Sequence, residues 1–200
     1  MEFEEFPKMA RLTRRVIITE KLDGTNAQIF IRRLPGHEAI PTDTPIIAAH
    51  GDLLLYAGSR TKWITPEDDK YGFARWVKEH AEQLSELGEG RHFGEWWGAG
   101  IQRRYGLQEK RFSLFNVQRW GDESCRPPCC HVVPVLYDGM FATAMAQDCI
   151  DNLAANGSVA APGFYDPEGI VVFHTAANAG FKKTIKKDEV PKALADKGIA

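Results

Sequence analysis

Residues Val16–Phe30 read VIITEKLDGTNAQIF, two apolar segments separated by the heptapeptide Glu20-Lys21-Leu22-Asp23-Gly24-Thr25-Asn26. Val16-Ile17-Ile18 and Ile29-Phe30-Ile31 are β-branched and aromatic, the composition of strands. Gly24 permits a sharp backbone path between them. The pattern predicts two strands joined as a hairpin, with Lys21 directed into a pocket rather than into solvent. A salt-bridged lysine in a β-turn is the structural alternative. A free lysine has a pKa near ~10.4, so about one in a few thousand is a neutral amine at pH 7. Lowering that pKa to roughly 7 requires about 4–5 kcal/mol. Burial and a nearby cation would supply it, while the flanking Glu20 and Asp23 oppose it. A nucleophilic Lys21 therefore implies a bound metal ion that offsets the two carboxylates.

Working outward, Arg33–Thr44 is a Pro- and Gly-containing loop, and Ile46–Ala49 and Leu53–Tyr56 flank Gly51-Asp52 as a second hairpin. Tyr71–Leu87 has helical spacing, with Phe73, Trp76, Val77, His80, Leu84 and Leu87 on one face and Gly88 as the stop. His80 reads as a packed histidine. Strands are expected at Arg91–Trp97, Phe112–Val117, Val132–Leu136, Ile170–Phe173 and Gly180–Ile185. Phe141–Leu153 reads as a short amphipathic helix, and Glu189–Lys197 as one or two further turns. Strands and helices interleave without a βαβ period, so the expected class is α+β with mainly antiparallel sheets.

Two hundred residues, 44% of them hydrophobic, suffice for one well-buried domain, or one domain with a small appendage. There is no apolar run of membrane-spanning length and no signal-peptide h-region at the amino terminus, so a cytoplasmic protein is expected (host cytoplasm for a viral one). The net charge of −2 excludes an overall basic nucleic-acid binder. Local basic patches occur at Lys8–Arg15 and at Lys182, Lys183, Lys186, Lys187 and Lys192, suited to gripping phosphates at one face or to a solvated tail. Cys125, Cys129, Cys130 and His131 offer metal-ligating groups, but their spacing fits no zinc knuckle, and adjacent cysteines on an extended chain point to opposite sides. They read as plain thiols in a loop.

The heptapeptide resembles motif I, Lys-x-Asp-Gly, of the covalent nucleotidyltransferases, the polynucleotide ligases and capping enzymes. DNA ligases and capping enzymes usually carry arginine two residues after the glycine. Asn26, preceded by Thr25 and with Glu20 before the lysine, is similar to the ATP-dependent RNA ligases, the phage RNA ligase 2-like group in particular. Further motifs follow in order. Ser59-Arg60 resembles motif Ia, Phe93-Gly94-Glu95-Trp96 motif III, and Phe112–Val117 motif IIIa. Pro167-Glu168-Gly169-Ile170 is similar to motif IV, and Phe181-Lys182-Lys183-Thr184 to motif V.

The resemblance implies a nucleotidyltransferase (ligase adenylation) domain over residues 1–200 with no OB-fold, using ATP and Mg²⁺ or Mn²⁺. It implies Lys21 as the nucleophile that becomes lysyl-AMP, Asp23 and Asn26 ordering its surroundings, and Glu20 at the adenine edge. Arg60 and Lys182 would meet phosphate. Phe115 would stack the adenine, with Phe112 as the fallback. Glu168 and Glu95 would hold metal, with ribose hydroxyls or a metal-bound water satisfying Glu95. The implied substrate is RNA with 5′-phosphate and 3′-hydroxyl ends, and a partner protein would supply a separate RNA-binding domain. The family usually has aspartate at position 116 and a second lysine at position 184; Asn116 and Thr184 depart from both, leaving Lys183 or Lys186 as substitutes. A DNA ligase or capping-type enzyme, or a catalytically weak nucleotide- or RNA-binding module, are the alternatives.

Overall fold

The computed structural model describes residues 2–36, 45–186 and 188. In chain order the strands are β1 (Arg15–Lys21), β2 (Thr25–Arg33), β3 (Ile46–His50), β4 (Leu53–Ser59), β5 (Trp63–Ile64), β6 (Gly90–Gly98), β7 (Lys110–Leu114), β8 (Cys130–Val132), β9 (Val135–Met140), β10 (Gly169–His174) and β11 (Ala179–Thr184). The helices are α1 (Phe73–Glu79), α2 (Ala81–Ser85), α3 (Val117–Trp120) and α4 (Thr143–Asn156). The class is α+β with mainly antiparallel sheets and, among the described residues, no barrel. No helix of the described residues is long and apolar enough to cross a membrane. The chain forms two compact units, Met1–Lys21 with Pro134–Ala200, and Leu22–Val133.

The first unit is a four-stranded antiparallel sheet in the order β11-β10-β1-β9. Val16, Ile18, Ile170 and Val172 point to one face, where they pack against Cys149, Ile150 and Leu153 of α4. Each fully buried Val or Ile side chain contributes about 1.5–3 kcal/mol. That burial pins the register, because a one-residue slip would carry the apolar set to the other face. The same alternation sends Ile17, Thr19 and Lys21 to the face opposite α4.

The second unit is a seven-stranded sheet in the order β3-β4-β2-β6-β7-β8, with β5 on β4. All pairs are antiparallel except β7–β8. Ala27, Ile29, Ile31, Leu55, Ala57, Trp96, Phe112 and Leu114 face the helices, packing with Phe73, Ala74, Val77, Leu84 and Leu87. Asn26, Gln28, Phe30, Phe93 and Glu95 alternate onto the opposite face.

Four expectations change. The strands flanking the heptapeptide are not a hairpin: β1 pairs with β9 and β10, whereas β2 pairs with β4 and β6. The helix expected over Tyr71–Leu87 begins after Gly72, which takes φ 78°, and breaks at His80. There His80 Nδ1 lies 2.9 Å from the Trp76 carbonyl oxygen, and φ −109° interrupts the helical path. The strand expected over Phe112–Val117 stops at Leu114, because the Asn116 side chain caps α3 by accepting from the Arg119 N–H at 3.1 Å. The strand expected over Val132–Leu136 splits at Val133-Pro134: Val133 N–H donates to Leu114 O, and Pro134 O accepts from Glu20 N–H. The turns expected over Glu189–Lys197, the residues 37–44 of the loop, and Lys187 and Lys192 lie outside the described residues.

Candidate functional site

In the first unit, Lys21 ends β1 opposite Gly169. Its Nζ meets Oε2 of Glu168 at 2.5 Å, two groups 147 residues apart in sequence. Gly169 is required by a close approach: it has φ 154°, and a Cβ there would overlap the Lys183 carbonyl oxygen across the strand pair. The cross-strand register runs Lys21–Gly169–Thr184, Glu20–Ile170–Lys183 and Thr19–Val171–Lys182. Opposed residues share a face, so Lys182 and Thr184 lie on the Lys21 face and Lys183 on the α4 side. Lys183 is therefore not placed to replace the missing lysine at position 184. Lys186 pairs with Asp166 at 2.7 Å, and Thr184 Oγ1 donates to the Lys186 carbonyl.

Glu20 alternates away from Lys21 and is 1% exposed. Its Oε1 accepts from Ser158 Oγ at 2.6 Å, and its Oε2 from the backbone N–H groups of Val159 and Ala160 at 2.9 and 3.0 Å. Burial pushes this carboxyl above its ordinary value, and the three hydrogen bonds pull it back. Glu20, expected at the adenine edge, anchors the 158–160 segment in this structure. Glu20→Ala leaves one buried and two part-buried donors without an acceptor, an expected loss on the order of 3 kcal/mol. Thermal melting should fall by roughly 6–12 °C at about 2–4 °C per kcal/mol for a chain of this size. A melting temperature unchanged from wild type would remove the anchoring role.

In the second unit, Glu95 is a mostly buried carboxylate on β6. Its Oε1 accepts from the Gly24 N–H at 3.1 Å and its Oε2 from Asn26 Nδ2 at 2.8 Å. Gly24 is present for space: a Cβ would overlap the Trp96 carbonyl oxygen and lie 2.8 Å from Trp97 Cβ. Asp23 accepts from Arg103 Nε at 2.9 Å, and its N–H donates to the Tyr105 hydroxyl at 2.8 Å. The segment that brings these two partners is strained, with Gln102, Arg104 and Tyr105 at φ 43°, 60° and 53°. Non-glycine residues in that region cost on the order of 1 kcal/mol each. Neither Arg103 nor Tyr105 is marked by any sequence pattern, because each reaches Asp23 across about eighty residues.

Arg60 follows β4 and is exposed. Phe115 is 42% exposed beyond the end of β7, whereas Phe112 is fully buried with its ring 5.1 Å from Phe73. Phe112 is core, and the stacking role has no fallback there. Asn116, where an aspartate was expected, serves as the α3 cap, which either residue can do.

Each carboxylate next to the lysine in sequence has a partner within its own unit: Glu20 is engaged by the 158–160 segment, and Asp23 pairs with Arg103. Lys21 itself pairs with Glu168. Among the described residues no group of three or more His, Cys, Asp or Glu side chains could hold a metal ion. Mg²⁺ keeps several waters and binds through one or two carboxylates plus substrate phosphates. Glu168, or Glu95 in the other unit, fits that demand, and a complete protein cage is not needed. The cysteines are free thiols; the hydrogen bond with Cys129 and burial hold Cys130 far above its ordinary value, opposite to a metal-bound thiolate.

The family model described as RNA ligase matches residues 14–187. The chain belongs to the RNA ligase family. No curated protein sequence matches it. Among solved structures it is similar to Naegleria gruberi RNA ligase, a mutant without ligand, with 18% identity and a TM-score of 0.56 over 88% of this chain and 50% of that one. A mutant of the same ligase with ATP and Mn matches at 18% and 0.56 over 94% and 52%. A third, with AMP and Mn, matches at 18% and 0.56 over 93% and 52%. These likenesses concern the fold, and the chain spans about half the length of each of them.

Proposed function

We propose that this chain is an ATP-dependent RNA ligase that works through a lysyl-AMP on Lys21. The observation that carries this reading is the meeting of Lys21 and Glu168 at 2.5 Å, the two residues that the motif order singled out from opposite ends of the chain. Lys21 Nζ attacks the α-phosphorus of ATP, the bond to pyrophosphate breaks, and the amine proton leaves to solvent. The resulting phosphoramidate passes AMP to an RNA 5′-phosphate. A 3′-hydroxyl then attacks that phosphate, forming the phosphodiester and releasing AMP.

The residues supply positioning and charge. Lys182, on the Lys21 face of the sheet, and Arg60 meet phosphate. Phe115 stacks the adenine, and Asn26 with Glu95 holds the loop that carries Asp23 and Gly24. Glu168, or Glu95 in the other unit, would hold a divalent cation, which when bound would supply positive charge toward the phosphates and disfavour the ammonium form of Lys21. Residues 1–200 act as one nucleotidyltransferase module in this reading, and a partner protein adds RNA-binding surface.

The test is sealing of a nicked RNA bearing a 5′-phosphate and a 3′-hydroxyl, with ATP and Mg²⁺ or Mn²⁺. A product of joined length is expected with ATP and not with GTP, and more of it from RNA than from DNA nicks. Covalent labelling by GTP would assign a capping-type enzyme. Labelling by neither nucleotide, with ATP still bound, would assign a binding module.

A further inference from the structure

The face of the seven-stranded sheet opposite its helices carries more aromatic surface than nucleotide transfer uses. Phe30, Tyr56 and Trp63 form a triangle with ring centroids 5.6, 6.1 and 5.7 Å apart. The Arg91 guanidinium sits over two of these rings, 4.6 Å from the Phe30 centroid and 5.4 Å from that of Trp63. It is held there by Gln28, whose Oε1 accepts from Arg91 Nη1 at 3.0 Å. Gly58 makes room for that arrangement, since a Cβ would come within 2.7 Å of Gln28 Cγ.

Arg91 itself is exposed. Among the described residues it has no carboxylate partner, unlike Arg33 at the end of β2, which is paired with both Asp52 and Glu89. Its positive charge is therefore available to a phosphate.

Phe93 lies two residues along β6 on the same face, about 6.8 Å farther on. It is 52% exposed in the middle of a strand. Continuing the β6–β7 register sets Phe115 opposite it, and Phe115 N–H donates to Phe93 O at 3.0 Å. A phenyl ring left in water forgoes up to about 1.5–3 kcal/mol of burial. Two such rings beside an unneutralised guanidinium seated on aromatics make a surface for a ligand with flat faces and negative charge together. Unpaired nucleotides have both, and sheets that present aromatics in this way stack two or three bases.

We propose that Arg91 and Phe93 form a stacking platform for unpaired nucleotides of the RNA substrate, laid across β2 and β6. The choice of RNA as the occupant rests on the RNA-ligase reading. The Arg91 plane and the Phe93 ring take successive bases, and the guanidinium N–H groups not used by Gln28 take a phosphate.

The test is fluorescence anisotropy of the full chain with a labelled single-stranded oligoribonucleotide of mixed sequence, in EDTA and without ATP, across a salt series. Stacking contributes about 1–3 kcal/mol per base, so Arg91→Ala and Phe93→Ala should each weaken binding by about 5- to 150-fold. Arg91→Lys keeps the charge and loses the plane. It should weaken binding while preserving the salt slope, whereas Arg91→Ala should lower the slope by about 0.7.

AMP-adduct formation and thermal melting should be unchanged in the Arg91 variants. Binding within twofold of wild type in both alanine variants would overturn the platform. So would a Phe93→Ala protein whose KM for ATP rises while its RNA affinity is kept, or duplex RNA competing better than the single strand. Arg91-dependent RNA binding in a protein that never forms an AMP adduct would support the platform and remove the ligase reading instead.

Discussion

Lys21→Ala abolishes the AMP adduct: intact-mass spectrometry after incubation with ATP and a divalent metal is expected to show one added AMP on the wild-type chain and none on the variant. Lys21 stands at the end of β1, its face fixed by the burial of Val16 and Ile18 on the other side, and its Nζ meets Glu168. Lys21→Arg should fail as completely, because a guanidinium in a protein is not deprotonated and offers no lone pair. Lys182 lies on the same face of the sheet and is the competing amine. An adduct of undiminished yield on Lys21→Ala, mapped to Lys182, would reassign the nucleophile.

Glu168→Ala has the second largest expected effect. Removing one preorganised charged group from a phosphoryl-transfer site costs about 10²–10³ in rate, or roughly 2.7–4 kcal/mol of transition-state stabilisation. Adenylylation should fall by that factor. Melting should fall by proportionately less than the rate, because loss of one part-buried ion pair leaves the cores of both sheets intact. Glu168→Gln keeps the shape and removes the charge, so it should fall with the alanine variant in rate. Parallel losses of melting temperature and rate in both variants would make Glu168 a structural carboxylate.

What the sequence offers toward a candidate site is carried by short strings. Lys21-x-Asp23-Gly24, the Phe93-Gly94-Glu95 strand and Pro167-Glu168-Gly169 each combine a reactive group with the backbone feature that presents it. Partner choice was not legible. Glu20 looks like a ligand-facing carboxylate beside Lys21 until its three donors at 158–160 appear, and Asp23 looks unpaired until the strained turn at 102–105 delivers Arg103 and Tyr105. Phe112 and Phe115 differ by three positions and read alike, yet one ends in the core and the other at the strand's exposed end.

By itself the sequence determined that Val16–Phe30 is strand, lysine-bearing motif, strand, and that six motif-like strings succeed one another along the chain. Those are properties of residue type and spacing, which act over a few residues. Only the tertiary structure decided that β1 and β2 belong to different sheets, that Lys21 is the last residue of one unit and Asp23 part of the next, and that Glu168 rather than Glu20 or Asp23 is the lysine's partner. The physical reason is that alternation fixes which side of a strand is buried and leaves its neighbours open. Backbone hydrogen bonds to β9 and β10, more than a hundred residues away, chose those neighbours through the burial against α4 that only the folded chain provides.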